Sequence, residues 1–370
     1  MAKQFIKRCR VRIILTLVSG LMMAAYFLLR SRKELMKLLS EALVRPLHRW
    51  LASQCERLPF SMAELLIGLL AAAILVYITI EIVQLFRKEK KILRIASTLM
   101  TLLTVFCLVY GGFCLLWGVY YYADDFTSAS GLKEDPVSIE QLQTVTEYFA
   151  RLANESGGKV SRNARGVYNG DRKTILAQSP KVFAGIEADF PCLAGPAVHA
   201  KGIHFSKIMS LTDFTGFFFP FTGEANVNID FPPSLLASTV AHELSHQRGV
   251  AREQEANFTA VLVSLKYGDP DYVYSAALLA YTHLGNELYK ADSDAWEPIY
   301  ESLSDEVKVD FAFNRAYWQQ FETPVQNISN TVYEGFLQSY GQKLGLQSYG
   351  ACVDLLVNYY YTIACTELGK

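Results

Sequence analysis

The stretch STVAHELSHQRGVAREQEANFTA, residues 238–260, holds two of the six histidines in the chain, together with three glutamates and one glycine. Within it, His242, Glu243 and His246 form the pattern HExxH. Side chains at positions i and i+4 of a helix project from the same face, so both imidazoles can reach one ion at about 2.0–2.1 Å. Glu243 lies one step round the helix, where it can take a proton from water at the metal. The spacing predicts a zinc site with a catalytic base.

A zinc site that keeps one position open needs a third protein ligand. Gly249 should end the first helix shortly after His246, and a second helix should begin at once. Its first turn can then fold back towards the histidines, which makes Glu253 the predicted third ligand. Asn257 follows one turn later on the same face and is predicted to orient a histidine. Glu255, on a different face of that helix, is the alternative ligand.

A simpler interpretation fits the same residues. HExxH is a short pattern that arises by chance, and His242, Glu243 and His246 would then lie on a solvated helix face. Glu253 would be an acid that favours the positive end of a helix dipole. The glycine stop and the acidic helix directly after it favour the metal site.

Three apolar segments lie in the first third of the chain. Residues 11–29, 65–86 and 95–122 are each long enough for a bilayer, which takes about 20 apolar residues per helix. They predict three transmembrane helices, with 1–123 as an anchor in the lipid bilayer and 124–370 as a separate domain. The first segment has the basic start of a secretory signal, but its apolar run exceeds a signal core of about 7–15 residues. We therefore expect an uncleaved anchor.

Basic residues near the segments predict the orientation. Five lysines or arginines precede residue 13 and five more lie at 87–94, so both regions should face the cytoplasm. The domain at 124–370 is then extracytoplasmic. The loop at 30–60 lies on the outer side in this topology, yet it holds seven basic residues, which disagrees with the rule that basic residues near spans face the cytoplasm. Its stretch RKELMKLLSEALVRPLHRWL, 32–51, is predicted to form an amphipathic helix on the membrane surface.

Composition and cysteine spacing exclude several function classes. The net charge of -1 and the lack of a basic, aromatic surface pattern give no indication of nucleic acid binding. Neither a phosphate loop nor a nucleophile elbow is present in the sequence. Beyond the apolar segments, Cys192, Cys352 and Cys365 have no CxxC spacing, so a thiolate metal site is not predicted. A Cys352–Cys365 disulfide stays possible.

The domain is predicted to be α-rich with a small β element. FTGFFFPFTGEANVNIDFPP, 214–233, is rich in aromatic and β-branched residues and predicts one or two strands, whereas most later segments have helical patterns. A strand just before the metal helix is a candidate wall for a peptide cleft, and Glu224 and Asn226 lie on it. The candidates to stabilise an oxyanion, which needs an aimed donor, are Tyr281, His283, Arg315 and Tyr333.

Glu253 and Asn257, four positions apart, are similar to the ExxxD element of gluzincin metallopeptidases. In that family the Glu binds zinc and the acid orients a ligand, so the resemblance implies these roles here, although Asn257 stands where an acid is usual. Only six residues separate His246 from Glu253, a gap that is short for gluzincins. The spacing is closer to the HExxHxxGxxH pattern of metzincins, which Gly249 fits, but Arg252 stands in place of their third histidine.

Three further stretches carry a resemblance that extends over most of the chain: FPFTGEANVN (219–228), HELSHQRGVAREQEANF (242–258) and LQSYGACVDLL (346–356). Together they resemble the DUF3810 family, bacterial multi-pass membrane proteins of undetermined function. The resemblance implies a zinc peptidase anchored in a bacterial cytoplasmic membrane, and it implies no particular substrate.

Two hypotheses follow. In the first, the domain is a zincin-like metallopeptidase that binds Zn²⁺ through His242, His246 and Glu253 and cleaves a protein or peptide with Glu243 as general base. In the second, the chain is a membrane sensor or scaffold that keeps the metal for structure. Structural zinc sites usually have four protein ligands, so a fourth ligand such as Glu255 would favour the second hypothesis.

Overall fold

The computed structural model describes residues 2–87, 91–133, 135–340 and 349–370. A π-helical turn, Ser40–Val44, joins the second helix of the chain to the third. Residues 88–90, the middle of the basic loop, lie outside the described part. The first helices are α1 (Ala2–Leu29), α2 (Lys33–Leu39), α3 (Arg45–Cys55), α4 (Met62–Arg87) and α5 (Lys91–Leu116).

Helices α1, α4 and α5 are long and apolar enough to cross a membrane, and they correspond to the three predicted spans. Helix α1 packs along α5, where the hydroxyls of Thr16 and Thr104 hydrogen-bond at 2.9 Å. The third span is shorter than predicted, because α5 ends at Leu116 and a 3₁₀ turn, Gly118–Tyr122, takes the place of its last turns. The apolar residues of this turn are core between the spans and the domain, so hydropathy alone extended the span too far.

The predicted amphipathic helix at 32–51 is helical in the structure from Lys33 onwards, with a π-helical turn in its middle and an exposed apolar side. The stretch forms α2 and α3, which pack against the domain as well as exposing an apolar side. The Arg49 guanidinium donates to the carbonyl of Ala194 at 2.6 Å, and Lys37 pairs with Asp124 at 2.7 Å. Basic residues of the loop at 30–60 therefore contact the domain. These contacts explain why basic residues lie on the same side of the spans as the domain.

Beyond α5, the described chain confirms an α-rich fold with a small β element. The strands are β1 (Lys201–Ile203), β2 (Gly216–Phe219) and β3 (Glu224–Asn228). The helices are α6 (Phe126–Ser130), α7 (Ile139–Gly157), α8 (Arg172–Gln178), α9 (Ser206–Leu211), α10 (Leu236–Gln247), α11 (Glu253–Tyr267), α12 (Pro270–Ala291), α13 (Ser293–Glu301), α14 (Asp305–Gln319), α15 (Pro324–Ser339) and α16 (Tyr349–Leu368).

The strands form one sheet in the order β1-β3-β2. The central strand β3 is parallel to β1 and antiparallel to β2, with Phe217 opposite Asn226. Every residue of β3 is buried, whereas β2 is half-buried throughout. In this sheet β2 therefore presents an edge whose backbone groups have a partner on one side only.

Helices α10 and α11 lie inside the domain core. They pack against each other and against α12, and α7 and α16 lie further out. Leu244 on α10, Phe258 on α11 and Tyr272 on α12 are fully buried in this cluster. Side-chain packing on several faces thus fixes the two helices that carry the predicted metal ligands.

The possible Cys352–Cys365 disulfide is excluded. Both residues lie on α16, and at 1.5 Å rise per residue they are about 20 Å apart along its axis. A disulfide requires Cα atoms about 4.4–6.8 Å apart. Both are free thiols in the structure.

Candidate metal centre

A glycine turn brings the two halves of the motif together. Helix α10 ends at Gln247, and Gly249 has φ +91°, a backbone conformation that side chains with a Cβ rarely adopt. A Cβ at Gly249 would also lie 2.8 Å from the ring of Tyr120. After this reversal α11 begins at Glu253, so its first residue faces the histidines of α10.

The three predicted ligands converge. Glu253 Oε2 lies 3.2 Å from His242 Nε2, and Glu253 Oε1 lies 3.7 Å from His246 Nε2. One ligand atom from each of the three residues lies within 4.8 Å of the other two. Ligands about 2.0–2.2 Å from a tetrahedral zinc are about 3.4 Å from one another, so these side chains fit a zinc ion with small adjustments.

Hydrogen bonds orient both imidazoles with Nε2 towards the shared point. His246 Nδ1 lies 2.6 Å from the carbonyl oxygen of Val250, and since a carbonyl only accepts, Nδ1 carries the proton. His242 Nδ1 lies 2.8 Å from Oδ1 of Asn257. Each histidine therefore has Nε2 available as a ligand. Asn257 occupies the orienting position predicted for it.

The pKa values of His246 and Glu253 are shifted by their contact. Burial alone would lower the pKa of His246, but the Glu253 carboxylate outweighs burial and raises it to about 9. In return, burial would raise the pKa of Glu253, and the two imidazoles hold it well below its usual range. A cation bound between these groups would replace the proton that they share.

Glu243 is buried beside the three ligands. Burial raises its pKa to about 7, although His242 and His246 act in the opposite direction. Its Oε2 is buried without a hydrogen-bond partner among the described residues. The carboxylate packs against Gly216 of β2, where a Cβ would lie 2.5 Å from Oε1. The edge strand thus has a glycine where Glu243 needs room.

These residues line a cleft of about 690 Å³. Helices α10 and α11 contribute the ligands, and residues 216–218 of β2 also line the cleft, together with Tyr333 and Phe336 of α15. Aromatic side chains from the end of α5 and the 3₁₀ turn that follows it also line the cleft: Phe113, Trp117 and Tyr121.

Comparison with known proteins identifies the family. A family model described as a protein of unknown function, DUF3810, matches residues 40–357. The chain belongs to the DUF3810 family. No curated protein and no solved structure matches it. The DUF3810 match covers the three candidate metal ligands and two of the three candidate spans, and the family description gives no activity.

The predicted alternative ligand Glu255 lies elsewhere in this DUF3810 chain. Its Oε1 accepts from the backbone amide and the hydroxyl of Thr127, each at 2.9 Å. The carboxylate therefore joins α11 to α6. It does not belong to the group formed by His242, His246 and Glu253.

Glu224 and Asn226 face the spans instead of the cleft. The Glu224 carboxylate accepts from the backbone amides of Met62 and Ala63, at 3.0 and 2.8 Å, and so caps the first turn of α4. Asn226 accepts from the hydroxyl of Ser61 at 2.7 Å. The cleft wall is β2, the neighbour of the strand that carries these two residues.

Among the four oxyanion candidates, Tyr333 lines the cleft, and its hydroxyl donates to Glu253 Oε1 at 2.7 Å. Burial and the nearby carboxylate raise the pKa of Tyr333, so it stays a donor. Tyr281 and His283 are buried on α12, where burial and His242 lower the pKa of His283 to about 4. Arg315 is exposed on α14. None of these three is among the residues that line the cleft.

Sequence reasoning missed the aromatic wall from α5. The ring of Trp117 meets that of His246 edge-on, with centroids 5.7 Å apart, and is tilted by 46° against Phe218 of β2, with centroids 4.9 Å apart. Aromatic residues at the end of an apolar segment are typical of a membrane interface, so the local pattern carries no signal for a cleft.

Proposed function

We propose that this chain is a membrane-anchored zinc metallopeptidase that hydrolyses peptide bonds in a protein or peptide substrate. One observation carries the proposal. Converging ligand atoms of His242, His246 and Glu253 share a cleft with Glu243, whose buried oxygen has no hydrogen-bond partner among the described residues. A protein rarely buries an unsatisfied carboxylate without a chemical use for it.

The donor set suits zinc. Two imidazole nitrogens and one carboxylate oxygen are a typical catalytic set that leaves a fourth position open. Zinc held by His242, His246 and Glu253 supplies a Lewis acid that polarises a carbonyl and makes water more acidic. Because the same donors also accept other divalent ions, the identity of the metal is part of the test below.

The chain's own residues supply the proton transfers. Glu243 accepts a proton from the attacking water and returns it to the leaving amine, which is efficient when the pKa of the base lies near the working pH. Burial raises the pKa of Glu243 towards that range. Tyr333 also lines the cleft, and its hydroxyl donates to Glu253 Oε1 and so holds that carboxylate in place.

The edge strand supports a peptide as substrate. An extended peptide can add to an open sheet edge through backbone hydrogen bonds, and β2 lines the cleft through Gly216, Phe217 and Phe218. A substrate bound along β2 would pass directly by Glu243, which packs on Gly216.

A non-catalytic sensor or scaffold with a structural metal is the alternative. Structural zinc sites are usually closed by four protein ligands. Here the described cluster has three, and Glu255, the candidate for a fourth, bonds to Thr127. The open position and the unsatisfied Glu243 favour the enzyme.

We further propose a bacterial cytoplasmic membrane as its location, with the domain outside. The contacts of α3 with the domain support a topology in which the loop at 30–60 lies on the same side of the spans as the domain. The basic N-terminus and the loop at 87–94 then lie on the other side, which the distribution of positive charge assigns to the cytoplasm.

The first test is the metal content of the full-length protein, purified in detergent with zinc, by elemental mass spectrometry. We expect about one zinc per wild-type chain and none in His246→Ala. His199→Ala is the matched control, because His199 pairs with Glu56 away from the cluster, and it should keep the metal. A folded wild-type protein without metal would reduce HExxH to a polar helix face and end the peptidase proposal.

A further inference from the structure

Two helices beside the cleft each expose an apolar face. Around α9 the exposed positions recur as i, i+3 and i+6, and on α15 as i, i+3 and i+7, the spacing of one helix side. We call these side chains, which are between 43% and 68% exposed, the α9–α15 face: Phe205, Ile208, Leu211, Val325, Ile328 and Val332.

Hydrogen bonds hold the two helices together at the mouth of the cleft. The Ser329 hydroxyl donates to the carbonyl of Thr212 at 2.9 Å, and the Asn330 amide donates to the Asp213 carboxylate at 3.0 Å. Asp213 and Asn330 also line the cleft. The α9–α15 face is therefore one surface that borders the entrance.

Both ends of this surface are fixed to the spans. The Glu64 carboxylate, in the first turn of α4, accepts from the backbone amides of His204 and Phe205 at 3.0 and 2.8 Å. Phe336 of α15 packs against Phe113 near the end of α5, with ring centroids 5.5 Å apart. The face thus lies at the level where α4 and α5 reach the domain.

Span length places that level at the lipid surface. Helix α4 has 26 residues, about 39 Å at 1.5 Å per residue, whereas the hydrocarbon core is about 30 Å thick. Its first turn therefore lies in the headgroup region. Exposed Lys207, between Phe205 and Ile208, is a cation at the same level. A third apolar side on α2 and α3 is also exposed, through Leu38, Leu43 and Trp50.

We propose that the α9–α15 face inserts into the lipid layer on the domain side of the membrane. An apolar helix face with a flanking lysine, tied at both ends to the domain-side ends of spans, fits the boundary between headgroups and acyl chains. Its continuity with the spans favours lipid over a protein partner. The mouth of the cleft then opens at the bilayer surface.

The position of the cleft at the bilayer surface indicates a class of substrate. This inference rests on the proposed peptidase function. A polypeptide tethered to the same membrane reaches such a mouth by lateral diffusion, while a soluble protein must approach between the domain and the lipid. We infer that the substrates are membrane-anchored proteins cut close to the bilayer surface.

Fluorescence quenching tests the lipid contact without any need for activity. The full-length protein is reconstituted in vesicles with an environment-sensitive fluorescent amino acid at position 208, 328 or 332. Position 289 is the matched control, since Tyr289 is exposed on α12 and packs against Trp296. Brominated lipids should quench the first three positions at least several-fold more than position 289.

Two outcomes would overturn the lipid contact. One is quenching at 208, 328 and 332 equal to that at 289. The other is a blue-shifted emission that resists brominated lipids and changes when the protein is diluted in the vesicles, which would assign the face to a second copy of the chain.

Profiling of new protein N-termini in native membranes, wild type against Glu243→Gln, tests the substrate class separately. We expect termini that depend on Glu243 to cluster beside the predicted spans of membrane proteins. Termini spread over soluble proteins would overturn the substrate class and leave the peptidase standing. An absence of Glu243-dependent termini would contradict the peptidase itself and leave the quenching result unaffected.

Discussion

Two polar regions at the β2–β3 pair each contain a glutamate and an asparagine, and they differ in whether the glutamate oxygens have hydrogen-bond partners. At the junction with the spans, Glu224 accepts from two backbone amides and a hydroxyl, and Asn226 bonds to Ser61. In the cleft, Glu243 keeps a buried oxygen without a partner among the described residues, beside Asn257. Glu224 and Glu243 are both 3% exposed.

Glu224 and Glu243 are therefore alike in residue type and burial. They differ in whether all their carboxylate oxygens have hydrogen-bond partners. A buried carboxylate that accepts from every nearby donor holds elements together. One that is left open beside converging ligand atoms is available for chemistry. Paired substitutions in the two regions test this distinction directly.

The largest expected effect is on turnover in Glu243→Gln. Loss of a general base typically costs about 10²–10⁴-fold in rate, so peptide hydrolysis should fall by that factor while zinc stays bound. Glu224→Gln, the matched change at the junction, should stay within a few-fold of wild type per bound zinc. Retained hydrolysis in Glu243→Gln would remove the assignment of the base.

Stability should show the opposite pattern. Glu224→Ala leaves the amides of Met62 and Ala63 without their cap, at about 1–3 kcal/mol for each buried donor left unsatisfied. The unfolding temperature in detergent should drop clearly. Glu243→Ala should leave it unchanged or raise it, because an unsatisfied carboxylate is removed. Equal falls in the unfolding temperature of Glu224→Ala and Glu243→Ala would contradict the distinction between the two regions.

The two asparagines extend the comparison to metal affinity. Asn257→Ala removes the acceptor for His242 Nδ1, and loss of such an orienting partner typically weakens metal binding by about 10–100-fold. Asn226→Ala should instead lower stability and leave zinc affinity unchanged. Competition with a chromogenic chelator measures both, and unchanged affinity in Asn257→Ala would contradict the orienting role.

The smallest expected effect is that of Tyr333→Phe. If the hydroxyl mainly holds Glu253, zinc affinity should fall by about tenfold, the low end of the range for orienting partners, and turnover per bound zinc should change little. Tyr317→Phe is the control, because Tyr317 donates to Asp230 in the same way on α14. A fall of about 10²-fold in turnover per zinc would instead assign Tyr333 to the oxyanion.

The parts of the fold and site that the sequence predicts are those governed by local spacing. The spans follow from continuous apolar runs, and the convergence of His242, His246 and Glu253 follows from helix periodicity and the reversal at Gly249. Whether zinc binds there and peptides are cut stays a prediction.

The parts that sequence reasoning missed depend on contacts between distant segments. Glu224 lies beside a plausible cleft strand, and only its bonds to Met62 and Ala63, far earlier in the chain, reveal a cap. Trp117 reaches His246 in the same way from the end of α5. No local sequence pattern indicates such contacts, because the residues of each segment are also typical of their own local setting, a strand for Glu224 and a membrane interface for Trp117.

The wall that α5 contributes to the cleft bears on how the gene can change. Because Phe113, Trp117 and Tyr121 line the cleft and Glu224 caps α4, a recombination event that exchanged the anchor would also remove part of the site. The family match includes α4, α5 and most of the domain. A domain released as a soluble protein would therefore lose part of its cleft and would need new residues to rebuild that wall.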